Sequence, residues 1–172
     1  MYIHTSKGQF IIREATPDDL QQLVHVHVTS WNATYPNYHP KPAPEVRTAQ
    51  WQKKFSDREE NWFCFVAQHK GGEIAGFATG NNFFDAHLPY KGALGKIHFL
   101  KPYQRLGLGR LLVAKVAEQF LKSGIDSMIL FADPHNPNIR FYERLSGEKL
   151  LDEKGVFHGA YGWKDIRPLL KV

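Results

Sequence analysis

Gln104-Arg105-Leu106-Gly107-Leu108-Gly109 decides how this chain folds, because an apolar run stands on each side of it. Ahead lies Ala93-Leu94-Gly95-Lys96-Ile97-His98-Phe99-Leu100, which reads as a strand. Behind lies the run from Leu111 to Leu121, which reads as a helix. A strand, a glycine turn and a helix together make a phosphate cradle. Glycines leave backbone N–H groups uncovered, and the helix N-terminus adds the positive end of its dipole. Arg105 and Arg110 bracket the turn. The expected ligand therefore carries a pyrophosphate.

Spacing narrows the kind of ligand. A Walker loop would close with Gly-Lys-Ser/Thr, and this stretch does not. A dinucleotide fingerprint needs three glycines and an acid about 20 residues on, whereas only Gly107 and Gly109 fall in the turn. The Q-x-x-G-x-G spacing after an apolar strand resembles the pyrophosphate loop of the GNAT family, the acetyl-CoA-dependent N-acetyltransferases.

A second motif strengthens that resemblance. Asn136-Pro137-Asn138-Ile139-Arg140-Phe141-Tyr142-Glu143-Arg144-Leu145 follows another apolar run. It resembles the family's second signature, an Asn followed by a short helix carrying Phe-Tyr-Glu and then a glycine-containing turn, here Ser146-Gly147. Asn136 suits a helix N-cap, and Pro137 suits the first helical turn, where a missing N–H costs nothing. Phe141 reads as a packing residue, and the order of the two signatures singles out Tyr142.

Bulk properties bound the rest. The 172 residues, 42% hydrophobic, suit one domain with a packed core, expected over residues 1–172. No apolar run approaches the length of a membrane-spanning helix, and Met1 to Lys7 does not read as a signal peptide. Cys64 is the single cysteine, so no internal disulfide is expected. Its place in the run Trp62 to Ala67 reads as core, and the expected location is cytoplasmic. A net charge of +5 and a sequence pI near 9.3 favour anionic ligands. The basic residues are scattered rather than clustered with aromatics, which argues against nucleic acid as a partner.

The chain shows no internal repeat or long linker. Gln9 to Ala15 reads as a first strand, and Thr16-Pro17-Asp18-Asp19 as a capped helix start. A helix from Asp18 to about Ala33 would put Leu20, Leu23, Val24, His27 and Trp31 on one face. Pro36, Pro40, Pro42 and Pro44 then impose a loop, and a second helix runs from Pro44 to Phe55. Strands are expected over Trp62–His69, Glu73–Asn81 and Gly92–Leu100, with a turn at Gly71-Gly72. The apolar run Ser127 to Ala132 reads as a strand buried on both faces. A hairpin of Gly147–Glu153 and Val156–Lys164 closes the chain. The expected class is α/β, a mixed, mostly antiparallel central sheet with helices on both faces. This element order also resembles the acetyltransferase family.

The resemblance implies transfer of the acetyl group of acetyl-CoA to a primary amine. It implies that the backbone of His98, Phe99 and Leu100 pairs with the pantetheine arm. Gln104, Arg105, Leu106, Gly107, Leu108, Gly109 and Arg110 would hold the pyrophosphate. Asn136 would bond the pantetheine arm, with Phe141 packing nearby. Tyr142 would give a proton, or a hydrogen bond, to the departing thiolate, since a phenol stays protonated at neutral pH.

The base is open. Many family members carry a glutamate early in the strand before the loop, and Ala93 stands there. A water chain, an acceptor already deprotonated, or another side chain would have to serve: His98, Asp85, His87 or His158. His25 and His27 lie two apart on the helix and point to different faces, so they do not read as a metal pair. Trp31, Tyr35, Tyr38, His39, the Asn81–Asp85 segment, Tyr161 and Trp163 either line an acceptor cleft or, for Trp31, Tyr161 and Trp163, pack the core. Sparse acids do not favour a highly cationic acceptor.

Two other classes compete. One is an acyl-CoA sensor of the same fold without turnover, which the missing glutamate favours and Tyr142 opposes. The other is an RNA- or ribosome-associated protein, resting on the basic pI alone. A homodimer through the last hairpin or an exposed strand edge fits the pattern.

Overall fold

The computed structural model describes residues 2–171. Its strands are β1 (Ile3–Thr5), β2 (Gly8–Glu14), β3 (Phe63–His69), β4 (Ile74–Asn82), β5 (Gly92–Phe99), β6 (Met128–Phe131), β7 (Glu148–Leu151) and β8 (Phe157–Trp163). Its helices are α1 (Leu20–Thr34), α2 (Pro44–Asp57), α3 (Leu108–Lys122) and the single-turn α4 (Arg140–Arg144). The strands form one 8-stranded sheet in the order β1-β2-β3-β4-β5-β6-β8-β7. Every neighbouring pair is antiparallel except β5 with β6. The mixed, mostly antiparallel sheet expected from the sequence is what forms.

Strand alternation feeds two cores. Phe65 and Ala67 of β3 join Ala78 and Leu94 beneath α3, whose Leu112, Val113, Val116, Ala117 and Phe120 make one continuous apolar stripe. Cys64 and Val66 point the other way, to Phe77 and to Leu23, Val26 and Trp51 of α1 and α2. Cys64 is thus a buried core residue, as its run suggested.

The expected first strand is preceded by β1, three residues that turn back at Gly8. Gly8 has φ +108, a conformation that favours glycine. The strand is too short and too polar to stand out in the sequence. The start of α1 is pinned by Asp19. Its carboxylate accepts the Thr16 N–H (2.8 Å) and two guanidinium N–H groups of Arg13 (2.7 Å each). The Arg13 bonds hold the Asp19 carboxyl below the usual carboxylate range, against the opposing effect of burial.

Two irregularities in β5 set up the functional site. Thr79 of β4 lies opposite Lys96 and Gly80 opposite Leu94, so Gly95 is an extra residue, a β-bulge. Before the bulge Leu94 faces the α3 core. After it Ile97 and Phe99 face that core, while His98 turns towards α1 and meets Ser30. Lys96 lies on the face of His98, two residues away on the pleat.

The second irregularity is a split. β5 and β6 pair only at Gly92 with Met128 and Ala93 with Ile129. Beyond that point β5 stays with β4 and β6 stays with β8. The edge of β5 from Leu94 to Phe99 is left without a strand partner on that side.

Candidate active site

A cleft of about 1030 Å³ opens where β5 and β6 part. One wall is β5 with α1 and the start of α2; the other is the end of β6 with the turn into α4. The loop between β5 and α3 closes one end. Of the residues singled out in the sequence, His98, Phe99, Gln104, Arg105, Gly107, Gly109, Arg110, Asn136, Phe141 and Tyr142 line this cleft together. Leu100 and Leu108 are buried in the two cores, and Leu106 packs against the larger one. Those leucines can offer a ligand only their backbone.

The loop presents a run of free backbone donors. The N–H groups of Arg105 through Gly109 donate to no backbone carbonyl among the described residues. The first ladder bond of α3 comes from Arg110, to the Gly107 carbonyl (3.1 Å). Gly107 has φ +81, and a Cβ there would meet no protein atom within 4 Å. The space beside it is therefore open to a ligand. At Gly109 a Cβ would come 3.3 Å from the Phe141 ring, so α3 and α4 approach through a glycine. Bare donors at a helix N-terminus, flanked by Arg105 and Arg110, fit a pyrophosphate.

The Asn136 turn differs in detail from the expected cap. Asn136 Oδ1 accepts the Asn138 N–H (2.8 Å) in an Asx-turn, and α4 begins only at Arg140. The turn still carries Tyr142 to the cleft. The Tyr142 ring is only 8% exposed and packs on Tyr161, centroids 5.5 Å apart. Its hydroxyl borders the cleft and bonds no group among the described residues. Burial, with lesser effects of Tyr35 and Tyr161, pushes this phenol up to about 12. The phenol therefore holds its proton at neutral pH.

Two imidazoles stand on the opposite wall. The Trp51 indole N–H donates to Nδ1 of His27 (3.2 Å), so the His27 proton sits on Nε2. Ser30 Oγ lies 2.8 Å from Nδ1 of His98 and 3.3 Å from the His27 carbonyl. We assign the serine hydrogen to the carbonyl, so that Nδ1–H of His98 donates to Ser30 and Nε2 carries a free lone pair. Burial first, then Lys96 and Arg47, push His98 down to about 4. Burial, with His98, Arg47 and Lys96, pushes His27 down to about 3. Both rings are neutral at pH 7.

The other candidates fall elsewhere. Asp85 accepts the His87 and Leu88 N–H groups in its own loop. His158 pairs with Asp152 (2.8 Å) on the exposed last hairpin. Trp31 and Tyr35 line the cleft; Tyr38 meets the Trp31 ring edge-on from outside it. Tyr161 and Trp163 are core residues, bonded to Glu143 (3.1 Å) and the Leu145 carbonyl (2.8 Å). The sequence reading did not single out Ser30, Arg47 or Lys96, although Lys96 was legible as the strand neighbour of His98 on the same face.

The split sheet leaves a bare strand edge that leads to an amide-lined loop, an arrangement that fits a long ligand ending in phosphates. The acetyltransferase (GNAT) family model matches residues 23–147. The "Uncharacterized N-acetyltransferase YuaI" of Bacillus subtilis (strain 168) is 32% identical over 167 residues, 92% of this chain and 95% of that protein. A PaiA N-acetyltransferase from Thermoplasma acidophilum, solved in complex with coenzyme A, superposes with a TM-score of 0.65 at 18% identity, covering 89% of this chain and 97% of that one. A ribosomal-protein-alanine N-acetyltransferase from Brucella melitensis gives 0.66 at 18% identity, covering 89% and 98%. These two structures bear on the fold alone. The chain belongs to the GNAT acetyltransferase family. It is an acyltransferase with acetyl-CoA as co-substrate, and the loop donors and bare β5 edge fit that molecule.

Proposed function

We propose that the protein transfers the acetyl group of acetyl-CoA directly to a primary amine, with Tyr142 as the acid and His98 as the base. The carrying observation is Tyr142: its ring is fixed by packing and lines the cleft, while its O–H has no partner among the described residues. The free edge of β5 at Ile97 to Phe99 would hold the amide groups of the pantetheine arm as a missing strand would. The Arg105–Gly109 amides would take the pyrophosphate, and Asn136 would bond the arm from the β6 side.

The amine nitrogen attacks the thioester carbonyl carbon. A C–N bond forms and the C–S bond breaks. One proton leaves the nitrogen for Nε2 of His98, and one passes from Tyr142 to the thiolate. Exchange with water returns both side chains to their starting states, so the net products are an amide and a free thiol. His98 supports this role because it alone of Asp85, His87, His98 and His158 borders the cleft. Ala93 leaves no carboxylate for the task. A protein N-terminus or a small molecule would suit the open end, and an unpaired buried Cys64 suits the cytoplasm.

The test is thiol release from acetyl-CoA with a panel of amines, together with calorimetric titration of acetyl-CoA alone. Tyr142→Phe should lower kcat roughly 100-fold and leave acetyl-CoA affinity unchanged. Equal turnover in the variant would remove Tyr142 from the mechanism. Binding of acetyl-CoA without turnover of any amine would favour the sensor reading.

A further inference from the structure

We propose that Arg47 and Lys96 form an anion seat at the acceptor end of the cleft, so that the amine acetylated here carries a carboxylate or phosphate of its own. The proposal rests on the acyl-transfer reading of this same cleft and names its substrate class.

Geometry brings the two cations together. Lys96 follows the Gly95 bulge and shares the face of His98, towards α1 and α2. Arg47 lies one turn before Trp51 on α2, and the Trp51 indole N–H is bonded to His27. Both side chains line the cleft beside the two imidazoles. They belong to the β5 and α2 wall of the cleft, whereas Tyr142 belongs to the α4 wall. Lys96 is also well back along β5 from the loop that would take the coenzyme's pyrophosphate.

Neither cation has a counter-ion among the described residues. Among the described residues no carboxylate forms a salt bridge with Arg47 or Lys96, although the chain pairs many of its other cations. The one hydrogen bond of the Arg47 guanidinium goes to the neutral Gln50 amide (3.1 Å). The charged or titratable groups facing them are His27, His98 and Lys54, all neutral or positive. Burial, then Arg47 and Lys54, holds the Lys96 ammonium below its ordinary value, and burial does the same to Arg47. Asp133 is the one acid among the described cleft residues, and it lies across the gap near Tyr35.

Lys96 is solvent-exposed and Arg47 partly so, yet like charges that share one cleft wall repel, and a ligand of opposite sign relieves that cost. The same positive field helps the chemistry. An amine must lose its proton before it attacks, and nearby cations favour the neutral form. A carboxylate or phosphate on the acceptor would dock on Arg47 and Lys96 while its amine faces His98. A polyamine would carry added positive charge into the same wall.

The test separates this from the transferase reading by measuring binding as well as turnover. Protein saturated with coenzyme A is titrated calorimetrically with L-phenylalanine, phenylalaninamide and phenethylamine, then with phosphoethanolamine and ethanolamine, and with spermidine. Thiol release from acetyl-CoA is measured on the same panel. At least one anionic amine should bind and be acetylated roughly 10- to 100-fold better than its neutralised partner. The first set reports a carboxylate ligand and the second a phosphate ligand. Arg47→Gln and Lys96→Met should each erase most of that preference, in KM more than in kcat, while Arg47→Lys retains part of it. Acetyl-CoA affinity should not move in any of them. Anionic amines that bind with this pattern but release no thiol would keep the seat and count against the transferase reading. Equal use of acid and amide, preference for spermidine, or no binding of any anionic amine would overturn the seat.

Discussion

Ser30 Oγ lies 2.8 Å from Nδ1 of His98, and this contact ties α1 to β5 at the wall of the cleft. The serine is 5% exposed, so no water shell competes for the bond. By fixing one nitrogen it decides which face of the ring, and which tautomer, meets the ligand.

Loss of the hydroxyl should therefore blunt catalysis without touching coenzyme binding. Ser30→Ala is expected to lower kcat about tenfold, with acetyl-CoA affinity unchanged by calorimetry. Ser30→Thr keeps the oxygen and should recover most of the rate. The pH dependence of kcat/KM should change in Ser30→Ala and not in Ser30→Thr. Matching profiles in all three proteins would leave Ser30 a packing residue only.

Gly107 presents the opposite case, where a side chain would intrude on the ligand. Gly107→Val puts a branched group into the space beside the bare amides and forces it to φ +81. Acetyl-CoA affinity should fall at least tenfold, while strain destabilises the fold by about 1–3 kcal/mol. Titration and denaturant unfolding measure the two effects separately. An unaltered dissociation constant would contradict the phosphate-loop assignment.

His27 makes stability fall in acid. Its folded value of about 3 lies below that of an unfolded imidazole, near 6.5. The native state therefore keeps the ring neutral while the unfolded chain takes up a proton. Stability from this group is fully present above about pH 7 and declines as pH falls through 6.5 towards 3. Between about pH 7 and 5 the loss should be about 1–2 kcal/mol. Urea unfolding at both values checks it, and His27→Gln, neutral throughout, should show a smaller difference. An equal difference in both proteins would assign the acid sensitivity elsewhere.

Trp163 should behave as a core residue. Trp163→Phe keeps most of the ring but strips the donor from the Leu145 carbonyl (2.8 Å). A cost of about 1–3 kcal/mol is expected, with turnover per folded molecule within about twofold of wild type. A large change in KM for the amine at unchanged stability would instead move Trp163 into the acceptor site.

Much of this was legible in the sequence because the deciding features are local. The glycine spacing before α3 and the Asn-Pro turn before α4 are set by backbone requirements that neighbouring residues announce. The alternation in β3 sorts Cys64 and Val66 from Phe65 and Ala67 without any tertiary information. What escaped notice depends on distance. β1 gains its place only by pairing with β2. Arg47 enters the cleft because Trp51, four residues on, is drawn to His27 across two helices. Tyr161 and Trp163 read equally well as cleft or core, since an aromatic ring suits both and only the closed sheet decides. The base is open in the sequence for the same reason: nothing local separates the four candidate side chains, and only the packing of α1 against β5 sets His98 on the cleft wall.

Gly95 acts as a phase shifter in β5. With a regular pleat carried on from Leu94, positions 96 and 98 would face the oily side beneath α3, and 97 and 99 would face α1. The single added residue advances the strand by half a repeat. An ammonium and an imidazole thereby reach the cleft, and isoleucine and phenylalanine take their places inside. Length here is worth more than chemistry. Substituting Gly95 would press a methyl on Thr79 Oγ1, 2.9 Å away, but deleting it would turn the end of the strand inside out, exchanging reactive wall for core at a stroke.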